Sequence, residues 1–296
     1  MLDSRETTHV ISESDSTTAG SAGFDALLPA AVARKAEGMG VAKANMPVDR
    51  MFVLAILAGS FIALGALFST VVTAGGESVS GVTRLVGGVV FSLGLILVVV
   101  SGAELFTGNT LIVMSVAGRR LSLVRLLRCW AIVYVGNAVG ALATATLVIW
   151  SGRLDDPSIA ARTAVIADAK TSLTVPHAFF SAVLANVLVC LAVWMAMSAR
   201  TVTDKVLAVV PPVSAFVAIG LEHSIANLYF VPVVLLDRVL GDSTVSTGEN
   251  VTWSRFLSHN LVPSTLGNIV GGAVLVGLVY WFVYLRPCGR DATSTS

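Results

Sequence analysis

Six apolar stretches alternate with short polar segments along the chain. They cover residues 51–72, 85–116, 129–150, 178–199, 206–236 and 256–285. A helix that crosses a bilayer needs about 20 mainly apolar residues, so each stretch predicts one transmembrane helix. The short polar segments between them leave no room for a separate soluble domain. The pattern therefore predicts an all-α membrane protein with six transmembrane helices.

Two sequence motifs occur twice, once in each half of the chain. GAELFTGN at 102–109 is matched by GLEHSIAN at 220–227, and GNAVGA at 136–141 by GNIVGG at 267–272. Each motif lies in the same span of its half, in the same order. Because each half holds three spans, the second copy enters the membrane upside down. We therefore predict a 3+3 inverted repeat with broken second and fifth helices, which meet near the midplane to form a transport site.

Ionisable residues interrupt the second and fifth stretches. An ionisable side chain inside a membrane costs ~2.5–3.5 kcal/mol on insertion scales, which by default suggests a function. Glu104 and Glu222 occupy equivalent repeat positions, which favours a shared structural role in which each carboxylate accepts backbone N–H groups freed at the helix break. His223 has no such counterpart, since Leu105 occupies the matching position. His223 is therefore the stronger candidate for a functional residue.

The ends of the chain and its basic residues predict domain limits and orientation. Residues 1–23 are rich in Ser and Thr and predict a disordered tail. Within residues 24–50, the pattern over 24–39 predicts an amphipathic helix at a membrane surface, with a plain linker as the alternative. Residues 51–286 form the predicted channel domain and 287–296 a second tail.

Of the 19 basic residues, 13 fall on the side of the two ends, which predicts cytoplasmic termini in the inner membrane.

Composition and motifs exclude several classes of function. Only 12% of the residues are charged, whereas a soluble domain has about a quarter, and the net charge of +1 argues against nucleic-acid binding. The three cysteines, Cys129, Cys190 and Cys288, lack metal-binding spacing. HExxH and GxSxG motifs do not occur, so we expect neither an enzyme nor a metal or other cofactor.

Four segments resemble the formate/nitrite transporter family, and the resemblance covers residues 24–286. They are GAELFTGNTLIV, FVAIGLEHSIANLYFVP, NLVPSTLGNIVGG and, in the fourth span, ANVLVCLAVWMA. The resemblance implies an aquaporin-like fold of six helices, assembled as a homo-pentamer with one pore per protomer. LFTGNTLIVMSVAGR and SARTVTDKVLAVVPP are more similar to the formate branch. Gly108, however, also follows the threonine in nitrite and hydrosulfide relatives, so these anions remain alternatives to formate.

The same resemblance implies roles for individual residues. His223 would be the central pore histidine, with Thr107 facing it and Asn186 supporting the site by hydrogen bonding. Lys170, expected in the outer loop before the fourth span, would attract anions. The apolar constrictions on either side would be formed by Leu95, Leu105, Phe91 and Phe216. Support of the two helix breaks is expected from Glu104, Glu222, Asn109, Asn227 and Asn268.

These residues suggest a mechanism in which a weak acid crosses as its neutral form. Moving a small ion into a low-dielectric medium has an idealised cost of order 20 kcal/mol. A histidine has an unperturbed pKa of about 6.5, so His223 could protonate an incoming anion and make its passage pH-dependent. The alternative is a pH-insensitive neutral-solute channel of aquaporin type. The NPA triplet of such channels occurs at neither break.

Overall fold

The computed structural model describes residues 26–75, 80–241 and 245–287. Cys288, Phe24 and the tails at 1–23 and 288–296 lie outside this range. The helices are α1 (Pro29–Ala44), α2 (Val48–Val72), α3 (Gly81–Ser101), α4 (Phe106–Ala117), α5 (Leu123–Trp150), α6 (Pro157–Thr171), α7 (Val175–Ser198), α8 (Val202–Ile219), α9 (Ser224–Phe230), α10 (Pro232–Leu240) and α11 (Trp253–Tyr284). Six of them, α2, α3, α5, α7, α8 and α11, are long and apolar enough to cross a membrane. The predicted all-α fold with six spans is confirmed.

The second and fifth spans are broken, as predicted, and both break in the same way. Helix α3 ends at Gly102 with φ 76°, and α8 ends at Gly220 with φ 85°. This left-handed conformation costs glycine little, whereas a side chain would strain it. Three residues without regular secondary structure follow each glycine before the chain resumes as α4 or α9. The glycine of each repeated motif therefore ends one half-helix and allows the next to begin.

The inverted repeat includes a short helix ahead of each set of three spans. Lys43 on α1 and Lys170 on α6 are 127 residues apart (170 − 43), as are Ala55 and Ala182 at matching positions of α2 and α7 (182 − 55). Because three spans separate α1 from α6, the two short helices lie on opposite faces of the molecule. The prediction that Lys170 lies in a loop is wrong. Helix α6 is too short and too polar to give the pattern of a span.

Helix α1 packs against the end of the helical bundle. It runs over Pro29–Ala44 rather than the predicted 24–39. Val32 and Ala36 are buried in one cluster with Leu111, Met114 and Trp194, from α4 and α7. Glu37 forms an ion pair with Arg120 (3.1 Å), and its carbonyl oxygen accepts a hydrogen bond from Ser115 Oγ at 2.8 Å. The buried face of α1 therefore lies against protein.

Glycines bring equivalent helices of the two halves into close contact. A Cβ atom at Gly140 would collide with the carbonyl oxygen of Ile56, and one at Gly271 with that of Val183. These contacts fix α5 against α2 and α11 against α7. Between the halves, Tyr134 Oη and Thr265 Oγ1 are 2.9 Å apart and occupy equivalent positions. Two equivalent residues can touch only near the pseudo-two-fold axis, so this contact marks where the axis passes between α5 and α11.

Candidate functional site

Two cavities enter the molecule from opposite faces. The α1-side cavity has a volume of about 370 Å³, and its lining includes Lys35, Lys43, Leu95, Glu104, Leu105 and Lys205. The α6-side cavity has a volume of about 810 Å³, and its lining includes Arg84, Phe91, Arg162, Lys170, Phe216, Glu222 and His223. Each cavity reaches the helix break of one half. The two breaks therefore lie between the cavities.

His223 and Thr107 bring the two helix breaks into contact. His223 is the N-cap residue of α9, and its Nδ1 accepts a hydrogen bond from the backbone N–H of Ala226 at 3.1 Å. Its Nε2 lies 2.9 Å from Thr107 Oγ1, and both side chains are buried. Since Nδ1 accepts a hydrogen bond, a neutral imidazole carries its proton on Nε2 and donates it to Thr107. The Thr107 hydroxyl then keeps its own proton for another acceptor.

Asn186 holds the backbone behind this pair. Its Nδ2 lies 2.6 Å from the carbonyl oxygen of Asn268 and 3.3 Å from that of Thr107. Thr110 Oγ1 also donates to the Thr107 carbonyl oxygen, at 2.6 Å. Asn186 therefore links the two halves at their breaks, as its predicted supporting position requires. The equivalent position of the first half is Gly59 (186 − 127), so only one half carries this amide.

Apolar side chains flank the His223–Thr107 pair on both sides. Leu95 and Leu105 line the α1-side cavity, and each is only 2% exposed. On the other side, the rings of Phe91 and Phe216 meet edge to face with centroids 5.6 Å apart. Phe216 also stacks on the His223 ring at 5.8 Å. The four residues predicted as constrictions therefore surround the polar pair, two on each side.

The two buried glutamates accept hydrogen bonds from side chains rather than from free backbone N–H groups. Glu222 accepts hydrogen bonds from Lys170 Nζ (3.1 and 3.2 Å), Asn227 Nδ2 (2.7 Å) and Asn260 Nδ2 (2.9 Å). In the first half, Glu104 accepts from Lys43 Nζ (3.1 Å) and Asn109 Nδ2 (2.7 Å). The expectation that these carboxylates accept the freed backbone N–H groups is wrong. A buried carboxylate needs a counter-charge, and the lysine at the end of each short helix supplies it.

Two asparagines bind the freed backbone groups instead. Asn268 Oδ1 accepts from the backbone N–H of Ser224 (2.9 Å), and its Nδ2 donates to the carbonyl oxygens of Ala182 and Glu222. Asn137 does the same in the first half for Phe106, Ala55 and Glu104. Asn268 was expected to support the break. Asn137, Asn260 and Lys43 were missed, although the repeated Gly-Asn pair was the signal that could have identified Asn137.

Lys170 lies at the inner end of the α6-side cavity. Its Nζ is paired with Glu222 and lies 5.4 Å from the centroid of the Phe230 ring. The side chain is only 13% exposed. The charge of Glu222 therefore balances the charge of Lys170, which limits the reach of its field. Among residues 26–75, 80–241 and 245–287, no three His, Cys, Asp or Glu side chains are grouped to bind a metal ion.

Comparison with known proteins gives a consistent result. The family model described as formate/nitrite transporter matches residues 30–282. Formate channel FocA of Escherichia coli (strain K12) is 44% identical over 274 residues, which cover 89% of this chain and 96% of FocA. A probable formate transporter of Methanothermobacter thermautotrophicus is 39% identical over 277 residues, covering 87% of this chain and 97% of the relative.

Solved structures show the same similarity. A pentameric formate channel with formate bound is 40% identical, with a TM-score of 0.74 over 81% of this chain and 98% of the other. An FNT family ion channel is 30% identical, with a TM-score of 0.75 over 86% and 98%. With its six spans, its two matching helix breaks and a family match over most of its length, this chain belongs to the formate/nitrite transporter family.

Proposed function

We propose that this chain forms a formate channel in the cell membrane, assembled as a homo-pentamer with one pore in each protomer. The names of its relatives support this substrate and assembly, since FocA is a formate channel and the similar solved structure is a pentamer with formate bound. Nitrite and hydrosulfide are the alternative anions. We further propose that the α1-side cavity faces the cytoplasm, as the distribution of basic residues predicts.

The observation that carries this proposal is the buried His223–Thr107 pair between two cavities. Leu95 and Leu105 lie on one side of it and Phe91 and Phe216 on the other. A narrow apolar passage opposes an ion, because the ion loses its hydration there. The neutral acid avoids most of that cost. A hydrogen-bonding pair between these apolar side chains can hold the anion where it gains a proton, with Asn186 keeping Thr107 in place.

The hydrogen bonds of His223 suggest how the proton is handled. The neutral ring donates from Nε2 and can only hold an anion, since losing that proton would leave an imidazolate. To give up a proton, the ring must first be protonated on Nδ1, which then ceases to accept the Ala226 N–H. Proton donation therefore requires the cap of α9 to open. In this proposal, pH-dependent passage follows from that protonation step.

Flux measurements in proteoliposomes test this function. Initial rates for formate, nitrite and hydrosulfide would be compared from pH 5 to pH 8 with the purified full-length protein. We expect formate to pass fastest and its rate to depend on pH. Faster passage of nitrite or hydrosulfide would reassign the substrate. Formate flux that is independent of pH would favour the neutral-solute channel and contradict a role for protonation.

A further inference from the structure

Each short helix carries two basic residues that line a cavity. On α6 these are Arg162 and Lys170, and on α1 the equivalent residues are Lys35 and Lys43. In each pair the residues are eight positions apart, which is slightly more than two helical turns, or about 12 Å along the helix. Both members of a pair therefore lie on one face of the helix. The inner residue is near the helix break and the outer one is nearer the cavity opening.

The inner and outer residues differ in their charge balance. Lys170 is paired with Glu222. Among the described residues that line the α6-side cavity, Glu222 is the only acidic one. Arg162 and a second cation, Arg84, line the same cavity. Burial and the charge of Arg84 both lower the pKa of Arg162. Two guanidinium groups thus line one cavity, and among the described residues that line it no carboxylate is left unpaired.

Arg162 is held in an orientation suited to an oxyanion. Its Nε donates to Thr73 Oγ1 at 3.0 Å, and the Thr73 hydroxyl donates in turn to the carbonyl oxygen of Ser69. Since Nε alone makes this contact, and the described residues give Arg162 no other hydrogen-bond partner, its two terminal nitrogens are available to a ligand. A guanidinium presents paired N–H groups that match the two oxygens of a carboxylate.

We propose that Arg84 and Arg162 form an anion-binding site near the opening of the α6-side cavity, which takes a small carboxylate. This inference rests on the proposed function, because the bound carboxylate is the transported formate. The site raises the local concentration of formate at the cavity opening. Lys170, about two helical turns deeper and balanced by Glu222, then receives an anion already held in the cavity. On this face of the molecule, the arginine pair therefore attracts anions at long range, and Lys170 does not.

Formate uptake from the α6 face tests the site. Wild type, Arg162→Gln and Arg84→Gln would be compared at an ionic strength of about 0.01 M, where the Debye length is ~30 Å, and at about 1 M, where it is ~3 Å. We expect each variant to raise the KM for formate by about two- to tenfold at low salt, with an unchanged maximal rate. The difference should shrink at high salt, and Arg162→Lys should recover only part of the affinity, because it keeps the charge but not the paired N–H groups.

Arg153→Gln is the matched control. Arg153 is an exposed basic residue just before α6 that does not line the cavity, so its loss removes the same charge from the same face. A low-salt KM in Arg162→Gln that equals the wild-type or Arg153→Gln value would overturn the proposal. Elution of each variant at the wild-type position in size-exclusion chromatography would confirm that it assembles.

Saturation-transfer NMR with formate as the probe separates this inference from the proposed function. If wild-type liposomes pass no formate, the proposed function fails, and binding to the purified protein at low salt still tests the arginines. We expect the saturation transfer to formate to fall in Arg162→Gln and to persist in Arg153→Gln. Equal transfer in both variants would overturn the anion-binding site whatever the flux result.

Discussion

At the scale of single residues, His223 has two structural connections that involve different ring nitrogens. Nδ1 caps the first turn of α9, and Nε2 contacts Thr107 from the other half. Protonating the ring places an N–H on Nδ1 opposite the N–H of Ala226, and two donors cannot share a hydrogen bond. A change in the charge of His223 is therefore coupled to the start of a helix. This gives the residue a larger role than that of a hydrogen-bond donor in an apolar passage.

His223→Asn separates the cap from the proton. Asparagine is among the best N-cap residues, so its Oδ1 can replace Nδ1 as acceptor for Ala226 and keep α9 intact. It does not titrate between pH 5 and pH 8. We expect formate flux in proteoliposomes to become independent of pH, whether the rate itself rises or falls. His177→Asn, at an exposed histidine near the start of α7, should keep the wild-type profile. Wild-type pH dependence in His223→Asn would leave Glu222 as the next candidate.

In the proposed mechanism, selectivity depends on the apolar side chains around that pair. Phe216 contacts both Phe91 and His223, so Phe216→Ala opens the α6 side of the passage, and Leu95→Ala opens the other. A wider passage lets an ion keep more of its hydration shell, so we expect measurable chloride flux in both variants. Phe180→Ala removes a ring that is 65% exposed on α7 and should not leak. If the formate-to-chloride ratio in Phe216→Ala equals that of wild type, these side chains are not the constriction.

At the scale of elements, each broken helix is supported by the same three kinds of contact. A glycine ends the first half-helix, an asparagine from another span caps the second, and a glutamate–lysine pair fixes a short surface helix to the break. These contacts satisfy the buried polar groups that a helix break creates. Unwound backbone is tolerated at this depth only where it is satisfied by protein or lines a cavity. These three kinds of contact therefore allow the polar His223–Thr107 pair to lie between two apolar halves.

Asn268→Ala tests that support. It removes one acceptor and two donor contacts, and each buried group left unsatisfied costs about 1–3 kcal/mol. We expect a clearly lower midpoint of thermal unfolding in detergent, and a similar loss for the equivalent Asn137→Ala. The control is Asn45→Ala, at an exposed residue whose side chain bonds Arg125. A midpoint in Asn268→Ala equal to that of Asn45→Ala would show that the cap does not stabilise the break.

The sequence was enough to predict the spans and both breaks, because apolar length and repeated glycines are local signals. It did not reveal α6, which is short and polar, although Asp156 followed by Pro157 is a recognisable helix start. The partners of Glu104 and Glu222 were also assigned incorrectly. Lys43 and Lys170 lie 61 and 52 residues from those carboxylates, and only the folded arrangement brings them together. Long-range pairing of charges leaves no periodic pattern in the sequence.

At the scale of the whole molecule, the two halves are alike in shape but differ in chemistry. Leu105 takes the place of His223, Gly59 that of Asn186, and Cys129 that of Asn260 (260 − 131). The second half therefore supplies the titratable residue and the amide that joins the breaks. Each cavity has an outer and an inner basic residue. These are Lys35 and Lys43 in the α1-side cavity and Arg162 and Lys170 in the α6-side cavity. An anion that enters from either face thus meets basic residues first, and then the single His223–Thr107 pair between the two cavities.

Orientation in the membrane is the last consequence of this pseudo-symmetry. Because an inverted repeat has nearly the same shape when turned over, the fold alone does not select which face is cytoplasmic. The positive-inside rule does, and the sequence places 13 of its 19 basic residues in the segments expected on the same side as the two ends of the chain. We expect a fluorescent protein fused after Ser296 to be fluorescent, since it matures in the cytoplasm. Alkaline phosphatase fused at the same site should be inactive. A fusion inserted after Gly241, directly after the end of α10, should give the opposite result, and phosphatase activity after Ser296 would show that the orientation is reversed.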